Sequence, residues 1–383
     1  MKIPDAYRGR EQSYIKHYFL REYLERVLFV TQSPYSRFSE FIYVDGFSGP
    51  WKSQAEDYAD TSFAIAIERL RVVREKYKSI GHAVKIRCCF VEESTAFEEL
   101  QAIVDLIKDI EIQIFHGRFE DLVPEILKWI GGSSSTFVLT FVDPTGWSVD
   151  LAAIAPLLAR RPGEVIYNFM YSFLRRFPTH PDPKIRLSYE LPLGKEWQTK
   201  LDPARGFDDA VIALFTQELK NAGRFQHVLK VTVLKPTTDA PHFYLFYGTR
   251  HRTGVIEFRK VQRSTSAAQA AVRYEARAVR REVRAGQSDL FRAAGLDEPV
   301  DDQVEHQQEL DRVRMALRSF VEDSRAVRFE RVVDHLLVNH EITEREVQTL
   351  LNAERLAGRI QIEGMNPRER LPKNGYLIRA MSH

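Results

Sequence analysis

Phe41-Ile42-Tyr43-Val44-Asp45-Gly46-Phe47-Ser48-Gly49-Pro50-Trp51 is the stretch whose reading decides the fold. Phe41 to Val44 predicts a short buried strand. Asp45-Gly46-Phe47-Ser48-Gly49 predicts a turn that only small residues can shape, and Tyr58 to Ile80 predicts a helix after it. Strand, glycine turn, helix is how an open α/β sheet makes a nucleotide crevice. The turn lets backbone approach the ligand, and the helix start offers unpaired N–H groups. Two glycines after an apolar run occur in many loops, so the surroundings must carry the assignment.

Those surroundings repeat the pattern. Apolar runs at Phe41–Val44, Val84–Val91, Glu111–Phe115, Thr136–Val142 and Glu164–Phe169 alternate with helical spacing at Tyr58–Ile80, Thr95–Ile107, Phe119–Trp129 and Leu151–Ala159. Short runs rich in Val, Ile and Phe, separated by helices, indicate a parallel sheet covered on both faces. An amphipathic helix, Ser13 to Val30, precedes them, with Lys16, Arg21, Glu22 and Glu25 on the side expected to face water. Tyr171 to Gly206 carries Pro178, Pro181, Pro183, Pro192 and Pro203 and reads as an irregular lid or insertion. Helix returns at Phe207–Ala222. Val228–Leu234 and His242–Thr249 then pair as an antiparallel hairpin. This order predicts an α/β, Rossmann-like class I S-adenosylmethionine methyltransferase fold over 1–262, with 171–206 as the insertion.

The remainder differs in composition. Residues 263–323 read as a helical linker. It includes the Arg-rich stretch Ser266–Gly286, a solvated face by default, and a weakly periodic segment from Gly286 to Asp302. Residues 324–383 read as a separate unit. It has a helix at Phe329–Val338, a capping box from Thr343 to Glu346, a second helix ended by Gly358, and strands at Arg359–Glu363 and Gly375–Arg379. Helix, turn, helix and a two-stranded wing predict a C-terminal winged helix-turn-helix.

Composition bounds the chemistry. Lys and Arg number 55 and Asp and Glu 53, so a nucleic-acid surface must be local. The only cysteines, Cys88 and Cys89, are neighbours that would point to opposite faces of a strand, which argues against a mutual disulfide or a metal pair. No compact Asp/Glu/His cluster is visible, which disfavours a metal-dependent nuclease; no metal is expected. No apolar run has membrane-spanning length and no apolar leader opens the chain, so a cytoplasmic protein with no membrane partner is expected.

Each parallel strand ends in polar or small residues, and such ends converge in an open sheet. Asp45, Gly46, Phe47 and Gly49 would hold the methionine part of S-adenosyl-L-methionine. Glu92, with Glu93 as its one-residue competitor, would accept from the ribose hydroxyls; either acid also suits a helix N-terminus. Gly117 and Phe119 would edge the adenine, although Arg118 stands where an acceptor is often found and has none to offer. Asp143, in Asp143-Pro144-Thr145-Gly146-Trp147, faces the transferred methyl and is expected both to contact the cofactor and to be the catalytic candidate, able to orient or deprotonate a nucleophile; capping the next helix is the plainer role. Thr145 and Gly146 depart from the Asp/Asn-Pro-Pro-aromatic turn of amino-directed methyltransferases, and Trp147 comes one place late. Arg175, Arg176, Arg250, His251 and Arg252 can attract phosphates or form solvated charge runs. In the tail, Arg345, Arg355, Arg359 and Lys373 are the candidates for salt-sensitive nucleic-acid binding to DNA or RNA.

The chain resembles the three-Cys-motif partner proteins (TcmP). The resemblance rests on Lys16-His17-Tyr18-Phe19-Leu20-Arg21-Glu22-Tyr23-Leu24, on Tyr43 to Pro50, on Phe141 to Gly146 and on Tyr247-Gly248-Thr249-Arg250-His251-Arg252-Thr253-Gly254. It implies a methyltransferase-like Rossmann fold, a winged-helix tail as in some members, and a radical-SAM-like partner whose three cysteines give the family its name. Trp51, where members often have glycine, would narrow the cofactor pocket. A non-catalytic nucleic-acid adaptor that recruits this partner is the alternative to a methyltransferase.

Overall fold

A computed structural model describes residues 3–49, 53, 55, 58–175, 182–285, 300–366 and 368–381. The expectations for Trp51, Arg176, Pro178, Pro181 and the linker segment 286–299 lie outside the described residues. The chain divides into two compact units, 2–251 and 252–383. The division falls at Arg252 rather than 262, because one helix runs unbroken from Arg252 to Ala285.

In the first unit the elements are α1 (Glu11–Thr31), β1 (Glu40–Asp45), α2 (Ser62–Lys78), β2 (Lys85–Glu92), α3 (Phe97–Val104), β3 (Glu111–His116), α4 (Val123–Ile130), β4 (Thr136–Val142), α5 (Leu151–Leu158) and β5 (Gly163–Phe169). There follow α6 (Tyr171–Leu174), α7 (Pro183–Leu193), α8 (Phe207–Gly223), β6 (His227–Leu234) and β7 (Pro241–Thr249). The seven strands lie in the order β3-β2-β1-β4-β5-β7-β6. Strands β1 to β5 are parallel, and β7 runs antiparallel to both β5 and β6. This is a mostly parallel, Rossmann-like α/β sheet. One face carries Val44, Val91, Val142 and Val165 against Ile126 of α4, Ile154 of α5 and Phe215 of α8. The other carries Tyr43 and Glu164, and Tyr23 of α1 donates to Glu164 at 2.6 Å.

Two differences from the sequence expectations have local causes. The helix expected from Tyr58 begins at Ser62, because Thr61 is extended and its hydroxyl accepts from the Ala64 N–H. The region 171–206 is not irregular throughout. Asp182 caps α7 by accepting the Lys184 N–H at 2.8 Å, and Pro183 occupies its first turn, where a missing N–H costs nothing. Cys88 and Cys89 are both buried and free.

In the second unit α9 (Arg252–Ala285) is followed by α10 (Val300–Asp323), β8 (Ala326–Arg328), α11 (Phe329–Asn339), α12 (Glu344–Leu356), β9 (Ile360–Glu363) and β10 (Leu377–Ala380). The strands form a three-stranded antiparallel sheet in the order β8-β10-β9. Thr343 and Glu346 make the expected reciprocal capping box at the start of α12. The buried Arg259 of α9 donates to the Leu337 carbonyl at 2.7 Å and so caps the end of α11. Among the described residues no helix is long and apolar enough to cross a membrane.

Candidate functional site

The sheet order reverses between β1 and β4, and ligands of open α/β sheets bind beyond the strand ends at such a reversal. The turn after β1 bridges this point. The Gly46 N–H donates to the Phe141 carbonyl of β4 at 3.0 Å, and the Ser48 N–H donates to the Val91 carbonyl of β2 at 2.8 Å.

Asp45 is fully buried and builds this turn. Its Oδ1 accepts the Phe47 N–H at 3.0 Å, its Oδ2 accepts the Tyr43 hydroxyl at 3.3 Å, and the Ser48 hydroxyl donates to its carbonyl at 2.9 Å. Burial pushes the Asp45 carboxyl up to about 6; hydrogen bonds from Ser62 and Phe47 oppose this, and the charge on Asp143 adds to it. Its carboxylate is committed to shaping the loop.

Gly46 is required by close approach. A Cβ there would come within 2.8 Å of the Phe119 ring. Phe119, the residue expected at the adenine edge, is 2% exposed, and its ring is packed under Gly46 and edge-on to Phe47 at 5.7 Å. In this position it supports the loop from below. Gly117 sits at φ +141°, a backbone state that excludes most side chains, and its N–H donates to the Glu92 carbonyl at 3.0 Å.

Glu92 is the last residue of β2 and is buried, whereas Glu93 is exposed. The Glu92 Oε1 accepts the Ser94 N–H at 2.7 Å, which holds the carboxylate at the strand end. His116, opposite Glu92 in the register, stacks on Phe97 at 4.4 Å.

Asp143 follows β4 beside the β1 turn. Its Oδ2 is paired with the Lys16 ammonium of α1, and its Oδ1 accepts Asn168 Nδ2–H at 2.6 Å. Lys16 does not face water as expected; its side chain is only 15% exposed. Its neighbour His17 is a core group bonded through Nδ1 to the Tyr7 hydroxyl at 2.9 Å, held neutral by burial and by the nearby cations Lys16, Arg10 and Arg21. Both Asp143 oxygens are thus engaged by donors. The next helix is capped by Asp150, not by Asp143. Trp147 does not stand free for stacking: its indole donates to Ser188 of α7 at 3.1 Å and its ring packs on Tyr189.

The sequence reading missed Lys16 and Asn168 as parts of this cluster. Asn168 carried a signal, as a lone amide one place before the end of the apolar run of β5. Lys16 carried none, because its partner is 127 positions away.

The residues expected to attract phosphate divide. Arg250 is a structural clamp. It donates to the carbonyls of Leu158 at 2.6 Å, Gly163 at 2.8 Å and Arg224 at 3.2 Å, also reaches Arg160 and Gly223, and lies over the Phe225 ring. Arg252 pairs with Asp334 and Glu344, and Arg175 lies 3.7 Å from Asp208. In the tail Arg345 is exposed on α12, and Arg355 donates to Asn352 at 2.9 Å. Lys373 pairs with Glu369 at 2.7 Å. Arg359 is bound to Glu354, a buried carboxylate that also takes Arg318 at 2.8 Å. Among the described residues no group of three or more His, Cys, Asp or Glu is placed to hold a metal ion. A cavity of about 860 Å³ lies between α5, α7 and α8, but its walls include none of Asp45, Glu92 and Asp143.

The strand order and the acids at one sheet edge define a Rossmann-like α/β protein. No protein-family model and no curated protein matches the chain. Among solved structures, it is similar to a Legionella pneumophila protein of the family DUF519, at 12% identity over 68% of this chain and 93% of that one, with a TM-score of 0.39. It is also similar to loganic acid methyltransferase, solved with SAH, at 12% identity over 71% of this chain and 70% of that one, with a TM-score of 0.28. Neither likeness is close enough to transfer a substrate or a residue role.

Proposed function

We propose that residues 2–251 are an S-adenosylmethionine-dependent, methyltransferase-like unit that acts on or near nucleic acid, in keeping with the resemblance to three-Cys-motif partner proteins. The observation that carries this reading is the strand order β3-β2-β1-β4-β5-β7-β6 with β7 reversed. It sets the Gly46 turn, Glu92 and Asp143 on one edge at the switch point. The residues present fit the cofactor. The backbone of 46–49 offers a tight turn for its methionine part, and Glu92, buried and anchored by Ser94, is a carboxylate for the ribose hydroxyls. The Gly117 bend lies beside it for the adenine. S-adenosylmethionine supplies an electrophilic methyl group. The chain's own contribution is to hold Asp143 still, through Lys16 and Asn168, at the mouth where an acceptor would enter.

The order α10, β8, α11, α12, β9, β10 with its three-stranded sheet supports a winged helix, with α12 presenting Arg345 to nucleic acid. Titration calorimetry with S-adenosylmethionine and its demethylated product tests the cofactor. Binding that Glu92→Ala weakens more than Glu93→Ala supports it; folded protein that binds neither ligand at millimolar concentration overturns it.

One observation favours the adaptor reading, in which the unit keeps the fold and recruits a three-Cys-motif radical-SAM-like protein. Both oxygens of Asp143 are already held, by Lys16 and by Asn168, an arrangement that suits a group fixed in place rather than one that takes up and releases a proton. Methyl transfer to DNA and RNA pools, measured with and without that partner, separates the two. Transfer abolished by Asp143→Ala counts against the adaptor.

A further inference from the structure

We infer that Asn168 is a specificity-determining residue whose side-chain carbonyl recognises a neutral amino group on the molecule entering beside Asp143. This rests on the crevice reading above. Asn168 is 2% exposed, and its amide has a fixed sense: Nδ2 donates to Asp143 Oδ1 at 2.6 Å and lies 3.3 Å from the Met170 sulfur. The reverse orientation would set carbonyl oxygen against carboxylate. The Oδ1 that results is buried and has no hydrogen-bond partner among the described residues. Buried polar atoms are nearly always paired, so an orphan acceptor at a strand end beside a candidate site asks for a donor from outside the chain.

The surroundings define that donor. Asp143 accepts from Lys16 and Asn168, yet a carboxylate has room for further donors. An –NH2 group can give one hydrogen to Asn168 Oδ1 and the other to Asp143, whereas a hydroxyl has only one to give. The Lys16 ammonium in the same cluster disfavours a charged ammonium ligand. The fitting class is a neutral amine on a planar ring or amide, such as the exocyclic amine of a nucleobase. The acceptor that reads it comes from β5 and not from the loop that carries Asp143.

The test uses the full chain saturated with S-adenosylhomocysteine and two probe pairs that differ only in the amino group: deoxyadenosine against purine deoxyriboside, and deoxycytidine against pyrimidin-2-one deoxyriboside. Dissociation constants come from ligand-observed NMR, and the deoxycytidine pair is repeated without S-adenosylhomocysteine. The expected result is about tenfold tighter binding of the amino-bearing member of at least one pair, the loss of one hydrogen bond to a buried acceptor. Asn168→Leu and Asn168→Ser, checked for folding by thermal unfolding, should erase the difference while S-adenosylhomocysteine affinity changes less than about twofold. Equal binding of both members, binding of neither, or discrimination that survives in folded variants overturns the inference. Absent S-adenosylhomocysteine binding with intact amine discrimination sinks the cofactor reading alone.

Discussion

The Lys16 ammonium of α1 is bonded to Asp143 Oδ2 at the end of β4, so the opening helix of the chain is tied to the centre of the sheet edge. Both side chains are mostly buried, and removing one leaves the other short of a partner. Lys16→Met should cost about 3 kcal/mol in urea unfolding. Asp143→Asn on top of it should recover most of that loss. A single-variant cost below about 0.5 kcal/mol would place the pair among solvated surface contacts.

Gly46 and Phe119 form a second dependent pair. Gly46→Ala drives a methyl to within 2.8 Å of the ring, and overpacking of this kind costs about 1–3 kcal/mol. Phe119→Leu alone should destabilise by a comparable amount through lost packing. The double variant should be less damaged than the sum of the two, because the smaller side chain vacates the space the methyl needs. Additive losses in a double-mutant cycle would show that the two do not share that space.

Asp45 sets a pH dependence. Its folded carboxyl lies near 6 against 3.8 unfolded, so the folded state holds its proton longer. Its contribution to stability is fully present below about pH 4, is lost as pH rises through about 6, and is flat above that. The difference corresponds to about 3 kcal/mol. Asp45→Asn should therefore be more stable than wild type at pH 7 by up to that amount and should lose the advantage at pH 4. Glu40 works in the opposite sense. Burial raises it, but Arg87, Lys85 and Thr136 outweigh this and hold it at about 2, so its stabilisation is lost as pH falls from about 4.5 towards 2. Denaturant midpoints across pH 3 to 8 separate the two.

The tail cations should behave differently from one another. Arg345→Ala should weaken duplex DNA binding across sequences and reduce the slope of log affinity against log salt by about 1. Arg359→Ala should instead lower the thermal midpoint of the unit, since Arg359 is one of the partners of buried Glu354. Fluorescence anisotropy over a salt series checks the first and calorimetric melting the second. An Arg345→Ala protein with unchanged salt slope would remove α12 from the interface.

What the sequence made legible is what local chemistry decides. The strand Thr136–Val142 is found with the same ends, and the Thr343–Glu346 box forms, because an apolar run and a four-residue cap carry their own information. Helix α7 was hidden by its prolines, which are harmless at Pro183 in the first turn and at Pro192 near the end. The Lys16–Asp143–Asn168 cluster depends on α1 crossing the ends of two central strands, and no spacing along the chain records that. The role of Arg359 was hidden in the same way, although Glu354 stands on the same helical stripe as Val347, Leu350 and Leu351, where a charge needs a partner.

The Arg250 clamp and the position of β7 bear on how this unit is made. Strand β7 is the last of the sheet to leave the ribosome, yet it lies between β5 and β6. Until residue 249 has emerged, β5 presents a bare edge of unpaired backbone groups, and until residue 250 follows, the carbonyls at the ends of α5 and α8 lack their common donor. The unit therefore closes from its interior, as its final act of synthesis. A nascent chain stalled before Pro241 exposes a sticky strand edge to its neighbours on the same message.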